Sequence, residues 1–136
     1  MPAAKRSFEL SLLAATFTIC RLAPGAAVPE WATQGQFFSV TRTGDELSVI
    51  VEEALVPERL RSEVDWRVMK VHGPFDVSEV GVLAALVAPL AAVGVSVFSI
   101  STFDTDYLLV RCDQLREAVT GLRNASHTVN EVEIIS

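Results

Sequence analysis

The side chains with the most capacity for chemistry gather in two short stretches, the loop from Gly73 to Glu79 and the polar segment Thr102-Phe103-Asp104-Thr105-Asp106. The first leads into an apolar run that opens at Ser78-Glu79 and closes at Val93-Gly94, which predicts a helix with Ser78 as a suitable cap. At a helix start the backbone N–H groups have no intrahelical partner, so they attract a carboxylate or another anion. The second stretch supplies the Asp104 and Asp106 carboxylates and the Thr102 hydroxyl, which suit an ammonium group. A free α-amino acid carries both charges and is the complement of such a mixture. Each residue also has a plain structural reading: Glu79 complements the helix dipole, Thr102 initiates a turn, and Asp106 ends a strand.

Catalysis finds no candidates of comparable quality. There is no Ser, Cys or Lys in a nucleophile motif, no glycine-rich phosphate loop and no pair of histidines. Asp104 and Asp106 stand two residues apart, so alternation sends both to one side of a turn, where carboxylates are commonly just solvated. The expectation is a chain that is not an enzyme and needs no cofactor. His72 and His127 are widely separated with no further ligand at metal spacing, so no metal site is expected. Cys20 and Cys112 sit in apolar or strand-like runs without a Cys-x-x-Cys pair, which predicts buried thiols, no disulfide, and cytoplasmic residence as the default.

The elements that must position these groups follow from hydrophobic period. In the apolar run Leu83, Leu86, Val87 and Leu90 fall at i, i+3, i+4, i+7 and predict one helix face laid on a sheet, while Ala84, Ala85, Ala88, Ala91 and Ala92 form a small, uncharged remainder. Pro89 removes one backbone donor inside that helix. Gly94 ends it, and Val95, Val97, Phe98 and Ile100 begin a strand whose end, Ile100 to Asp106, is expected to come near the Gly73 loop. Trp66 to His72 reads as a central strand, Asp113 to Leu122 as a second helix capped by Asp113, and Val129 to Ile135 as a last strand. Strand, helix, strand, strand, helix, strand is the ferredoxin-like order, with two helices on one face of an antiparallel sheet.

Earlier in the chain, Phe8, Leu10 and Leu12 alternate with polar residues, as do Phe17, Ile19 and Leu22, predicting a tight hairpin or one long bent strand. Val28 to Gln34 reads as a short helix with Trp31 as a core or interface plug. Phe37–Thr41 and Leu47–Val51 read as a hairpin, Pro57 to Val64 as a short helix, and Asp65 as the joint between halves. The expected division is therefore residues 1–64 and 65–136.

Size and charge bound the partners. A chain of 136 residues that is half apolar can bury a core, and 11 Lys+Arg against 17 Asp+Glu give a net charge of −6. An acidic surface disfavours nucleic acid and anionic membranes, which require concentrated positive charge. Gly81 to Ser101 carries no charge over 21 residues, but Pro89, Gly94 and the later alternation divide it into two elements and argue against a spanning helix. The N-terminus resembles a secretory signal only superficially, because Glu9, Thr16, Thr18 and Arg21 give it the alternation of strands.

The halves repeat: Phe38-Ser39-Val40-Thr41 through Leu47–Val51 aligns with Phe98-Ser99-Ile100-Ser101 through Tyr107–Val110, with one extra residue allowed in the first turn. Gly81-Val82-Leu83, Pro89-Leu90-Ala91, Gly94-Val95-Ser96, Ile100-Ser101-Thr102-Phe103 and Asp106–Val110 together resemble the ACT domains of small bacterial ACT proteins related to the CASTOR arginine sensors, over about Trp66 to Leu122. The resemblance implies an α+β fold of two tandem ferredoxin-like ACT units, the first degenerate. It further implies a cytoplasmic, homodimeric regulatory protein that binds a small molecule, an amino acid, at an interface between ACT units and acts on an effector protein. Carried over by position, the sensors' ligand-binding groups correspond to Gly73, Glu79, Thr102 and Asp106, with Gly81, Ile100, Phe103 and Asp104 around them. Phe103 is retained, whereas Asp104 and Thr105 depart from the sensors' pattern. The alternative is a module that pairs with itself or a partner without any ligand.

Overall fold

A computed structural model describes residues 6–75 and 80–131. The chain divides into two compact units, residues 1–14 with 67–136, and residues 15–66. The first strand, β1 (Glu9–Leu12), belongs to the unit that holds residues 67–136. It pairs antiparallel with β5 (Glu63–Val71), setting Leu10 opposite Val71 and Leu12 opposite Met69. It pairs parallel with β8 (Thr128–Asn130), setting Leu10 opposite Val129. β1 therefore makes no hairpin with Phe17–Leu22: alternation tells which side chains face inward but not which strand lies alongside.

In the C-terminal unit β5, α1 (Val82–Ala92), β6 (Val97–Ser101), β7 (Asp106–Arg111), α2 (Leu115–Asn124) and β8 follow in the expected order. β7 pairs with β5 and β6, so the strands run β8-β1-β5-β7-β6. A purely antiparallel sheet is expected from that order. The intrusion of β1 parallel to β8 makes it mixed instead. Leu10, Leu12, Met69, Val71, Leu108 and Val110 of the sheet pack against Leu86, Leu90, Val119 and Leu122 of the helices, each contributing about 1.5–3 kcal/mol by leaving water.

α1 buries Val82, Leu86 and Leu90, with Leu83 packed at the edge and Val87 only half-buried, so its inward stripe is turned slightly from the expected one. Pro89 has no N–H to offer the Ala85 carbonyl one turn back. The buried His127 ring fills that place, its Nε2 lying 3.0 Å from the Ala85 oxygen. Its Nδ1 accepts the Phe8 N–H at 3.1 Å, so the proton sits on Nε2 and that nitrogen donates to Ala85. A proline, a histidine and the residue before the first strand thus meet at α1, and the Phe8 N–H and the Ala85 carbonyl both find a partner there.

α2 follows a 3-10 turn at Cys112–Gln114 and has no side-chain cap, so Asp113 does not cap it. Cys112 is half-exposed instead of buried. Neither cysteine is joined in a disulfide among the described residues. Of the last expected strand, Thr128–Asn130 is formed and residues 132–136 lie outside those described.

Residues 15–66 form β2 (Phe17–Leu22), β3 (Ser39–Arg42) and β4 (Leu47–Glu52), which with the start of β5 run in the order β3-β4-β2-β5. Among the described residues this unit has no α-helix, only 3-10 turns at Glu30–Thr33, Glu53–Leu55 and Glu58–Leu60. The helix expected over Pro57 to Val64 stops after one turn because Glu63 and Val64 enter β5. Trp31 packs against the cluster of Cys20, Ala32, Leu47, Val49, Val51 and Val56, as a plug. Among the described residues no helix is long and apolar enough to cross a membrane.

Candidate functional site

The β6–β7 connection is built by threonine chemistry. The Thr102 N–H donates to the Thr105 carbonyl at 2.8 Å, its Oγ1 donates to the same oxygen at 3.0 Å, and the Thr105 N–H donates back to Thr102 Oγ1 at 3.2 Å. One step down the ladder Ser101 is paired with Asp106, and the Ser101 hydroxyl donates to Asp106 Oδ1 at 2.6 Å. Short hydroxyl side chains that bond their own backbone fold this turn without outside help.

The loop after β5 is fastened to that turn. The Phe75 N–H donates to the Asp104 carbonyl at 2.7 Å, and the Thr105 hydroxyl donates to the Val71 carbonyl at 2.6 Å in a buried bond. Gly73 lies where the two backbones close, since a Cβ there would stand 2.8 Å from the Asp104 oxygen. Only glycine fits such an approach.

Across from the turn stands the start of α1. Gly81 is its cap, with φ +87°, a left-handed conformation that side-chain-bearing residues rarely adopt. The first helical bond runs from the Ala85 N–H to the Gly81 carbonyl at 3.0 Å, and Gly81 has no side chain with which to cap the end. The N–H groups of Val82, Leu83 and Ala84 therefore have no partner within the helix, and the positive end of its dipole is set there.

Between these parts lies a hollow of about 320 Å³ lined by Phe75, residues 81–84 and residues 101–106, within the range of small-molecule sites. Among the described residues its wall carries two carboxylates, Asp104 and Asp106, and no lysine or arginine. Phe75, Val82 and Leu83 supply apolar surface, and Phe103 stands 82% exposed at the edge. The arrangement offers backbone donors to an anion and carboxylates to a cation, a short span apart.

Of the residues nominated from the sequence, Gly81, Thr102, Phe103, Asp104 and Asp106 line this hollow. Gly73 supports the turn from behind, and Ile100, half-buried opposite Tyr107, is not on the wall. Glu79 and Ser78 lie outside the described residues. Sequence reasoning passed over Phe75, Ser101 and Thr105. The signal was available for Thr105, a second hydroxyl residue in a turn opened by Thr102. The Thr102 hydroxyl is occupied by its own turn and Asp106 by Ser101, so both have structural work whether or not anything binds.

Among the described residues no group of three His, Cys, Asp or Glu could hold a metal ion. The charge shifts that burial imposes fall outside the hollow, raising the Cys20 thiol and lowering the Arg67 guanidinium.

Comparison with known proteins gives a consistent picture. A family model described as ACT domain matches residues 61–124, and a model of an N-terminal domain matches residues 15–59. The rat protein "Cytosolic arginine sensor for mTORC1 subunit 1" is 34% identical over 107 residues, 71% of this chain and 32% of that protein. Its human counterpart is 32% identical over 108 residues, 71% of this chain and 33% of that protein. The chain thus spans about a third of the length of these relatives. Among solved structures, Protein Atu0741 from Agrobacterium tumefaciens superposes with a TM-score of 0.88 at 36% identity, covering 94% of this chain and 96% of that one. The regulatory subunit of aspartate kinase from Thermus thermophilus, at 12% identity, shares the fold with a TM-score of 0.59 over 90% of this chain and 99% of that one.

Proposed function

This chain is an ACT-domain protein of the group that includes Atu0741 and resembles the cytosolic arginine sensors, and on that premise we propose that it is a non-catalytic regulator that binds a free amino acid in the hollow between α1 and the β6–β7 turn. One observation carries the reading: Gly81 to Ala84, which open α1, line the same hollow as Asp104 and Asp106. The ligand's carboxylate sits at the helix start and its ammonium group at the aspartates, and Glu79 is proposed as a further ligand contact. A second copy of the chain closes the open side near Phe103, and residues 15–66 serve as a reduced ACT-like companion. Binding then favours one assembly over another, because a ligand shifts an equilibrium only through unequal affinity for its states. The relatives' name places them in the cytosol and assigns them arginine; for this chain we propose cytoplasmic residence and an effector protein, with the amino acid open.

The test is a thermal-shift screen of the free amino acids on the wild-type chain and on Glu79→Ala and Asp106→Ala. The reading expects at least one amino acid to raise Tm in the wild type and to lose that effect in both variants. No stabilisation by any, or equal stabilisation in the variants, would sink it.

A second reading rests on a different surface. Ala84, Ala88, Ala91 and Ala92 of α1 are exposed, Val93 is 46% exposed, and Phe98 of the edge strand β6 is 42% exposed, which suits an assembly module indifferent to metabolites. Sedimentation with and without amino acids separates the two: a fixed mass favours the module, a ligand-dependent mass the sensor.

A further inference from the structure

Away from the core, three strands bring four polar side chains together. Glu9 and Ser11 stand two apart on β1, so both point away from the core that Leu10 and Leu12 enter. The His72 N–H donates to the Glu9 carbonyl at 2.8 Å and carries the pairing of β1 with β5 one residue past the end of β5. Asn130 of β8 is the register partner of Ser11. No local motif announces the group, since Ser11 and His72 lie 61 residues apart.

Their polar atoms form one chain of contacts. Ser11 Oγ and His72 Nε2 are 2.5 Å apart, and His72 Nδ1 lies 3.4 Å from Glu9 Oε1. The other Glu9 oxygen, Oε2, accepts the Asn130 side-chain N–H at 2.6 Å, and the same amide nitrogen lies 3.5 Å from Ser11 Oγ. An ionised carboxylate only accepts, so the imidazole proton sits on Nδ1 and Nε2 is left to accept from the Ser11 hydroxyl. A hydroxyl, an imidazole and a carboxylate behind it, in that order, are the parts that turn a serine into a nucleophile. The 3.4 Å step is long for a hydrogen bond, as such contacts often are before a reactant is bound. The side chains of His72 and Glu9 are 40% and 51% exposed, so a small molecule can reach them.

We propose that Ser11 is an acylation site, activated by a His72 that Glu9 orients, and that it takes the acyl group of small activated esters. Ser11 Oγ attacks the carbonyl carbon of the ester and gives its proton to His72 Nε2. The bond from that carbon to the leaving oxygen then breaks, and the leaving alcohol departs with the proton. Ser11 ends as an ester and His72 as a neutral imidazole, with no other co-reactant required. Lys70, exposed and paired with Ser11 in register, can meet the negative oxygen that forms on the carbonyl. One acyl group is transferred per chain, without turnover, so the regulatory reading stands and nothing here rests on the amino-acid hollow.

The experiment exposes the full chain to p-nitrophenyl acetate, folded and in urea, and locates the acetyl groups by peptide mass spectrometry over time. The folded chain is expected to acquire one acetyl group at Ser11, and the chain in urea none at that position over the same period. His72→Gln should slow acetylation of Ser11 by about tenfold or more. Glu9→Gln should slow it less, with an unchanged midpoint of unfolding in urea. Acetyl groups confined to Lys70, the cysteines or other positions, or equal acetylation of Ser11 folded and in urea, overturn the proposal without recourse to any variant. An undiminished rate in folded His72→Gln overturns the role of His72, and an undiminished rate in Glu9→Gln that of Glu9.

Discussion

Two hairpins in this chain share one turn and differ in everything around it. Between β3 and β4 the Thr43 N–H and hydroxyl reach the Glu46 carbonyl at 2.9 and 3.4 Å, and the Glu46 N–H returns to Thr43 Oγ1 at 3.1 Å. Between β6 and β7 the same bonds join Thr102 and Thr105. Both loops have equal length, Arg42 opposite Leu47 and Ser101 opposite Asp106, so the extra residue allowed in the first turn is not there. The difference lies in what each turn meets. The Asp45 carbonyl takes a long arginine side chain, Arg21, at 3.0 Å, whereas the Asp104 carbonyl takes the backbone of the Gly73 loop and faces a helix start. Threonine makes the turn; a docked loop and the start of α1 make the hollow.

The largest break in that contrast removes the helix from behind. His127→Phe leaves the Phe8 N–H and the Ala85 carbonyl unpaired, each costing about 1–3 kcal/mol, measurable by urea denaturation. Pro89→Ala supplies an N–H for Ala85 and should recover part of that loss in the His127→Phe background but not in the wild type. Equal effects in both backgrounds would deny that histidine stands in for the missing donor.

Next come the glycines. Gly73→Ala drives a Cβ into the Asp104 carbonyl and should destabilise by about 1–3 kcal/mol. Gly44→Ala, with nothing within 4 Å, should stay within about 0.5 kcal/mol. Comparable losses would mean that the second turn is no more docked than the first. Thr105→Val deletes the buried bond to Val71 and should cost about 1–2 kcal/mol by leaving that carbonyl unpaired. Thr43→Ala and Thr102→Ala remove matching bonds and should cost nearly the same, about 0.5–1.5 kcal/mol each. Smallest in stability is Asp106→Asn, within about 0.5 kcal/mol because the pair with Ser101 is exposed, yet it should abolish amino-acid stabilisation.

What could be read in advance follows from how local each signal is. Both threonine turns, the alternation of β7 and the apolar run of α1 are written in neighbouring residues, so the hollow's two walls were legible. The placement of β1 between β5 and β8 was not, because Leu10 and Leu12 announce an inward face without naming a neighbour. Pro89 announced a lost donor, but its replacement comes from His127, 38 residues on by subtraction of their numbers. Gly81 showed only as part of a family pattern; its left-handed backbone is what makes it the cap. Cys112 was read as buried from its strand-like surroundings, though it stands just past the strand end.

The central claim is that the start of α1 and the β6–β7 turn hold one ligand jointly. Backbone amide resonances recorded during titration with the amino acid that stabilises the chain test it most directly. The account predicts that Val82, Leu83 and Ala84 shift together with Thr102 to Asp106 along one saturation curve, while Thr43 to Glu46 stay still. Saturable shifts confined to other surfaces, or equal movement of both turns, would contradict it.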